Sequence, residues 1–359
     1  MAINLAQTAI EHNASVLNYF KVNSILKDNQ GKNEGVTVID KETEIEYQVN
    51  SKCIINATGI FTDKILKKND PTHKKTVIPS RGVHLVFDKS FLKSDHAVMI
   101  PKTSDGRVLF IIPWHNRVIV GTTDTPIRKK TLDPIATKAE ISFILNNVKH
   151  YLSKSPKRKD ILSVFAGLRP LAAPQEEGAK TKEVSRSHKI IVSDSKLISI
   201  VGGKWTTYRK MAEDVVNKSI QVHHYKRIKS KTKTLDIHGN ISKTLDLKED
   251  YLSVYGTDAK QIKKLEQFNI LYSQKIHVNF NFTVAQIIWS IRYEMARTVE
   301  DVLARRIRLL FLDAKAAIEA SPFVAKIMAD ELKYDKDWID EQELNFKKVA
   351  MTYTIDYYE

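Results

Sequence analysis

Gly202-Gly203-Lys204 stands where a short apolar strand, 197–201, gives way to an expected helix, 206–219. Two adjacent glycines let a backbone bend tightly and approach a ligand closely. Thr206 or Thr207 can cap the helix, whose free N–H groups, with Lys204 beside them, favour an anion or a carbonyl oxygen. An ordinary strand–helix turn with a surface lysine has the same composition. Asn56-Ala57-Thr58-Gly59 closes another short apolar strand, 53–59, with small residues. Ligands of open α/β sheets lie at such carboxyl ends, although a tight turn also asks for small residues. Asn56 and Thr58 form a glycosylation sequon too, accidental in a buried strand of a cytosolic protein.

Two arginines sit in unusual settings. Arg169, in Phe165-Ala-Gly-Leu-Arg-Pro-Leu171, is placed between an expected strand and a proline turn with apolar neighbours. A guanidinium there needs an acidic partner or an anionic ligand, because an unpaired buried charge is costly. Arg186, in Ser185-Arg-Ser-His188, offers a second cation flanked by hydroxyls, and a structural ion pair explains either one equally well. His84 is read as opening a strand just after Gly82, as a candidate proton acceptor or a packed side chain. Gly121-Thr122-Thr123-Asp124 ends a strand with two hydroxyls and a carboxylate, or is a capped turn. Eleven histidines are present without His-Glu-x-x-His or paired spacing, so no metal site is expected.

The elements that must position these groups form a mixed pattern. A helix at 3–12 precedes a β-rich meander (15–26, 36–39, 45–49), expected to cap one face of a larger sheet. Strands follow at 84–87, 97–100, 108–112, 118–121 and 164–167, with a helix at 138–152 whose Ile141, Ile144, Leu145 and Val148 share a face. The strand 189–192 leads into the glycine turn. Lys226-Arg-Ile-Lys-Ser-Lys-Thr-Lys233 reads as a linker, and the pattern beyond it is helical, most clearly from Met295 to Leu310.

A chain of 359 residues is long enough for two domains, and 42% hydrophobic residues exclude a disordered chain. Its one cysteine, Cys53, excludes a disulfide framework and suits a reducing compartment. No apolar run approaches a spanning helix, and the first residues do not read as a signal peptide. The net charge of +15 suits nucleic acid, an anionic membrane surface or a phosphorylated substrate.

Taken in order, several segments resemble the FAD-dependent glycerol-3-phosphate dehydrogenases. They are INATGIFTD (55–63), PSRGVHLVF (79–87), VLFIIPWHNRVIVGTTDTP (108–126), FAGLRPLAA (165–173), SRSHKIIV (185–192) and SIVGGKWTTYRKMAEDVV (199–216). Glu294 to Arg306 is similar to that family's C-terminal helical domain. The resemblance implies an α/β (α+β) fold: a partial FAD-binding Rossmann-like domain with a β-rich substrate or cap domain of the glutathione-reductase-like, D-amino-acid-oxidase-like type. Residues 1–228 would form this part, with 61–185 mostly the cap, and 229–359 the helical domain. The family's N-terminal Gly-x-Gly-x-x-Gly turn is absent from the sequence, so the expectation is the C-terminal two-thirds of such an enzyme.

By the same resemblance, Asn56, Ala57, Thr58, Gly59, Gly202, Gly203, Lys204, Trp205, Thr206 and Thr207 contact FAD. Arg169 sits beside the flavin and binds substrate hydroxyls, and Arg186 and Lys204 hold the phosphate. His84 is taken as the base because an imidazole ordinarily titrates near neutrality. The implied reaction oxidises sn-glycerol 3-phosphate to dihydroxyacetone phosphate and passes electrons to a membrane quinone. The implied location is cytoplasmic, with room for peripheral attachment to the anionic inner face of the membrane and for a homodimer. Arg292, Arg297, Arg305, Arg306 and Arg308 would divide between ion pairs and such a docking face. Rival readings are a peroxide-forming glycerol-3-phosphate oxidase, another FAD-dependent amine or hydroxy-acid oxidoreductase, and a non-catalytic basic binding module. Nucleic acid is not expected as a partner.

Overall fold

The structure, a computed structural model, describes residues 1–173, 187–241 and 251–359. Helix α1 (Ala2–Glu11) leads into a three-stranded antiparallel sheet of β1 (Phe20–Lys27), β2 (Asn33–Asp40) and β3 (Glu46–Asn50). This meander stands beside α2 (Thr62–Asn69), tied to it by Lys27 Nζ donating to the Asn69 carbonyl at 2.7 Å. Strand β4 (Ile55–Asn56) belongs to a second small sheet. There it runs parallel to β12 (Ile198–Gly202), which pairs antiparallel with β11 (His188–Val192).

The largest sheet has the order β10-β5-β8-β7-β6 and is wholly antiparallel along that path. Its strands are β5 (Val77–Asp88), β6 (Val98–Ile100), β7 (Leu109–Trp114), β8 (Arg117–Gly121) and β10 (Ser163–Ala172), with the short β9 (Thr125–Pro126) also on β5. Val83, Leu85 and Phe87 of β5 point to one face, where Ile141, Ile144 and Val148 of α3 (Lys138–Val148) cover them. Thr137 and Glu140 form a capping box that starts α3 where the sequence places it.

Two expectations about this sheet change. His84 does not open a strand but lies well inside the 12-residue β5, and Arg169 lies within β10 rather than before a turn. Glycine and proline look like breaks in sequence. Here Gly82 faces Gly167 and Pro79 faces Pro170, and Pro170 is tolerated because β10 is an edge strand.

After β12 come α4 (Tyr208–Val222) and an irregular stretch that includes the basic run 226–233. The rest is helical: α5 (Ala259–Phe268), α6 (Val284–Tyr293), α7 (Leu309–Leu312), α8 (Ala314–Leu332) and α9 (Lys336–Met351). The expected helix from Met295 to Leu310 is not continuous. Thr298 Oγ1 accepts from Asp301 N–H at 3.1 Å, while the Asp301 carboxylate accepts from Arg297 and Thr298 N–H at 2.8 and 3.2 Å. That reciprocal cap starts a new turn, which runs as a π-helix over Asp301–Arg306 and ends at Arg308, left-handed with φ 63°. The apolar spacing had a real cause: Val299, Val302, Leu303, Ile307 and Leu310 all enter the helical core.

This core meets the sheet along β10. The Val164 N–H donates to the Tyr353 carbonyl, Ala314 N–H to Leu162, and Ser163 Oγ to Leu310, at 2.8, 3.0 and 3.0 Å. Beyond α9 the chain returns, and Ile355 and Tyr358 are buried in the sheet's own core.

Asp63, at the start of α2, pins that helix to β5. It accepts from Thr76 N–H and Oγ1 at 2.9 and 2.6 Å, from Val77 N–H at 3.2 Å and from Lys130 at 3.0 Å. Burial alone would raise its pKa, but the Thr76 and Lys130 hydrogen bonds outweigh it and hold the group at about 2 against an ordinary 3.8. The unfolded chain therefore binds the extra proton first, and this stability is present above the unfolded pKa and lost as pH falls through about 2. Asp63→Asn should cost about 2 kcal/mol at neutral pH. Urea titrations should show the gap from the unaltered protein narrowing steadily below pH 4.

Candidate functional site

Antiparallel register places Phe165 opposite His84, Gly167 opposite Gly82 and Arg169 opposite Ser80. Alternate residues of a strand share a face, so these pairs line one side of the sheet. An aromatic pair stands at one end and a cation at the other. Between them lies a floor without side chains.

Arg169 does not stand upright from this floor. Its Nη1 donates to the Thr123 carbonyl at 3.1 Å and lies 3.5 Å from Asp124 Oδ1, while Nη2 donates to Thr122 Oγ1 at 3.0 Å. The guanidinium is drawn over Gly82, where a Cβ would come within 2.5 Å of Nη2 and 2.6 Å of Thr122 Oγ1. Gly167 is the open half of the floor: it is exposed, and a Cβ there would meet nothing within 4 Å. The Ser80 hydroxyl donates to Asp124, which helps to hold the carboxylate that faces Arg169.

The 122–125 loop is itself clamped from beneath. Glu140 accepts from Thr123 and Thr125 hydroxyls at 3.2 and 2.7 Å and pairs with Arg81 at 2.8 Å. Burial opposes its charge, yet the hydrogen bonds from Thr125, Thr137 and Arg81 outweigh this and lower its pKa. Thr123 Oγ1 also accepts from Val83 N–H at 3.0 Å, so the loop carrying the arginine's partners is fastened to β5. Motif reading found Arg169, His84 and the Thr-Thr-Asp loop, but it missed Gly82, Gly167, Ser80 and Glu140. The available signal was phase: Gly82 and Gly167 fall two residues from His84 and Arg169, on the same face.

The His84 ring stacks on Phe165 with centroids 5.1 Å apart, and it lies so close over Gly121 that a Cβ there would meet Cδ2 at 2.3 Å. Burial first, and the Arg169 charge second, push its pKa down from 6.5 to about 4. At neutral pH the imidazole is uncharged and able to accept a proton.

The other predicted residues gather where parallel strands β4 and β12 end. Asn56 is buried and joins the strands, its Nδ2 donating to Ser199 Oγ at 3.1 Å and to the Thr62 carbonyl at 3.2 Å. Its Oδ1 accepts from Thr58 Oγ1 at 2.7 Å, so Asn56 holds the turn while Ala57 and Thr58 face outward. Gly202 and Gly203 have φ of 73° and 86°, the left-handed region. A Cβ would lie 2.9 Å from the Ser187 carbonyl at the first and 2.5 Å from Met211 Sδ at the second. Lys204, Trp205, Thr206 and Thr207 are exposed at the mouth of this turn. Thr207 does not cap α4; its hydroxyl donates to the Lys204 carbonyl at 3.0 Å.

Strand β10 connects the two clusters. Its Ala172 Cβ is 3.3 Å from where a Gly202 Cβ would lie, about 10 Å along the strand from Arg169. Arg186 lies outside the described residues. Among the described residues no cluster of His, Cys, Asp and Glu could hold a metal ion.

Comparison with known proteins identifies the family of the chain. Residues 1–207 match the FAD dependent oxidoreductase family, and 193–339 match the C-terminal domain of alpha-glycerophosphate oxidase. The mitochondrial glycerol-3-phosphate dehydrogenase of Saccharomyces cerevisiae is 35% identical over 96% of this chain and 64% of its own length. The human mitochondrial glycerol-3-phosphate dehydrogenase is also 35% identical, over 99% of this chain and 52% of its own. The chain thus spans about half to just under two-thirds of the curated relatives it matches. The glycerol-3-phosphate dehydrogenase of Bacillus halodurans, solved with FAD, superposes with a TM-score of 0.80 at 28% identity, over 98% of this chain and 72% of that one.

The two floor glycines separate packing from access. Gly82→Ala should cost about 1–3 kcal/mol by overpacking against Arg169 and Thr122, read as a lowered melting temperature. Gly167→Ala should leave the melting temperature within about 1 °C of the unaltered protein.

Proposed function

Because the chain belongs to the FAD dependent oxidoreductase family, we propose that the whole protein oxidises sn-glycerol 3-phosphate to dihydroxyacetone phosphate and delivers the electrons to a quinone. The observation that carries this reading is the β5–β10 face, where a guanidinium clamped over Gly82 and a neutral imidazole stand beside the open floor at Gly167. A small anionic alcohol needs a cation to hold it, a base for its hydroxyl proton, and room for a flat partner against the carbon.

The family cofactor is FAD, and the ends of β4 and β12 suit it. Both strands end at the same edge, in turns of small residues. Two glycines there adopt φ values that other residues rarely take, and exposed Trp205 and Ile55 offer apolar surface. Asn56 to Gly59 and Gly202 to Thr207 would hold it from this side. Held there, FAD would supply the acceptor for the hydride from C2.

The chain's own residues do the rest. Arg169 binds and orients the substrate oxygens, and its carbonyl, hydroxyl and carboxylate partners keep it in place before substrate arrives. Lys204, with Arg186, supplies positive charge for the phosphate. A ring nitrogen of His84 accepts the proton of the C2 hydroxyl. Phe165, itself packed edge-on against Phe311 at 4.9 Å, keeps water from one face of that imidazole.

The test uses the full-length FAD-loaded protein, with dye reduction and oxygen consumption measured side by side. Turnover of glycerol 3-phosphate with dye or quinone and little oxygen uptake supports the reading. Stoichiometric peroxide would instead make the protein an oxidase, and equal turnover of glycerol would remove the phosphate from recognition. His84→Asn should lower kcat about 10²–10⁴-fold. Arg169→Ala should lower kcat/KM by about 10–100-fold, as loss of a charged hydrogen bond predicts. Gly167→Ala should impair turnover without lowering stability, which an inert surface glycine would not do. A His84 pKa of about 4 leaves the base competent above that value, so the acid limb of kcat/KM should lie well below the ordinary 6.5.

A further inference from the structure

The ion pairs of the helical half leave its arginines engaged within the protein. Arg292 pairs with Glu331 at 2.6 Å, Arg297 with Glu42 at 2.7 Å, Arg306 with Asp301 at 3.2 Å, and Arg305 with Glu300. One pair outside that half is placed differently. His188 and Asp214 meet beside the glycine turn, and neither has a part in the chemistry assigned above.

Glycine has the widest backbone freedom of any residue, so a turn built on two of them is loosely specified by its own sequence. The left-handed φ values of Gly202 and Gly203, 73° and 86°, must be held by what stands around them. The walls are close. A Cβ on Gly202 would lie 2.9 Å from the Ser187 carbonyl, and one on Gly203 would lie 2.5 Å from Met211 Sδ and 3.3 Å from His188 Cβ. One wall is therefore the start of β11, where His188 stands directly opposite Gly202. The other is the first half of α4. Met211 and Asp214 are three residues apart there and share a helix face.

The two walls are joined. His188 Nε2 lies 3.0 Å from Asp214 Oδ2 and is the donor, because a carboxylate only accepts. The other carboxylate oxygen accepts from Lys210 Nζ at 2.6 Å, one turn back along α4. The Lys210 hydrogen bond, with that of His188 behind it, holds Asp214 below the ordinary carboxylate range, so the acceptor is ionised at neutral pH. The His188 and Asp214 side chains are 22% and 27% exposed, and a pair this open to water adds little to global stability. Its place gives it a local task. It links the strand that enters the turn's surroundings to the helix that leaves the turn, with His188 Cβ and Met211 Sδ both against Gly203.

We propose that His188 and Asp214 are positioning residues for FAD: by tying β11 to α4 they hold Gly202-Gly203 in its receiving conformation before the cofactor arrives. Each acts through the turn and not on the reacting atoms. The proposal rests on the reading above, that this turn holds FAD. A turn ordered in advance loses less freedom on binding, so the pair acts on cofactor affinity and not on folding.

The test strips FAD from the full-length protein and titrates it back, following flavin fluorescence. The melting temperature of the stripped protein is read in parallel. His188→Ala and Asp214→Ala should each raise the FAD dissociation constant about ten-fold, the size of one charged hydrogen bond. The double variant should be no worse than either single one, because the two side chains act as a unit. His188→Gln, whose amide can still donate to Asp214, should recover most of the affinity. Every stripped variant should melt within about 4 °C of the unaltered protein. Unchanged affinity in the two alanine variants overturns the proposal. So does a loss of affinity that comes with a larger fall in melting temperature, or one that adds up in the double variant and that glutamine does not recover. Gly203→Ala and Trp205→Ala, the latter at a 60% exposed side chain, examine the reading beneath it. If neither weakens FAD binding, the turn does not hold the cofactor and both statements fail. If they weaken it while His188→Ala does not, the positioning role alone fails.

Discussion

Strand β10 is an edge strand, and covering its outer side is the constraint on which the rest of the molecule depends. An uncovered edge leaves N–H and C=O groups unpaired and invites association. Here the helical half closes part of it, through Val164 to Tyr353, Leu162 to Ala314 and Ser163 to Leu310. Phe311 then packs edge-on against Phe165, and Phe165 carries His84. At the other end, Ala172 lies against Gly202, whose turn belongs to the small sheet. One strand thereby fixes the imidazole, the guanidinium and the glycine turn relative to one another. A helical half that served only as an appendage would not reach His84 in two aromatic contacts.

Charge is divided along the same lines. Surface ion pairs of the kind formed by Arg292 and Arg297 contribute little stability each, about 0–1 kcal/mol. They absorb much of the arginine in the helices without creating a site. Arg169 is used differently: a carbonyl, a hydroxyl and a carboxylate 3.5 Å away fix the position of its guanidinium on the sheet face. Glu140, by contrast, is saturated by Arg81 and hydroxyls on the far side of the loop, so it stiffens the site without neutralising it.

How far the sequence carried the reading follows from which forces act locally. The helix beginning at Lys138, the strand at β7 and the glycine turn at 202–203 depend on neighbouring residues and were legible. The length of β5 and β10 was not, because Gly82 and Pro170 break strands when considered alone. Each is permitted only by what stands opposite, Gly167 and Pro79. The interrupted helix after Met295 was misread for a related reason. Its apolar spacing reports burial, while the Thr298–Asp301 cap that restarts the backbone is a short polar signal inside that spacing. Family resemblance named Arg169, and the ordinary pKa of imidazole suggested His84, which the structure lowers to about 4; neither pointed to the glycines that let the two share a face.

That shared face has an electrostatic consequence for the proposed reaction. His84 is a weaker base than a free imidazole because it is buried and because Arg169 disfavours its protonated form. Each unit of lowered pKa corresponds to about 1.4 kcal/mol between the two protonation states. A neutral alcohol entering the site would leave the Arg169 contribution in place. A phosphorylated one, its phosphate held by Lys204 and Arg186 in the proposed arrangement, would add negative charge to the same site, partly offset the guanidinium's field at the imidazole, and raise the basicity of His84 as the hydroxyl proton comes within reach. Recognition of the anion and activation of the base would then be coupled through the field of Arg169, on a face where Gly82 makes room for the guanidinium and Gly167 leaves the floor open.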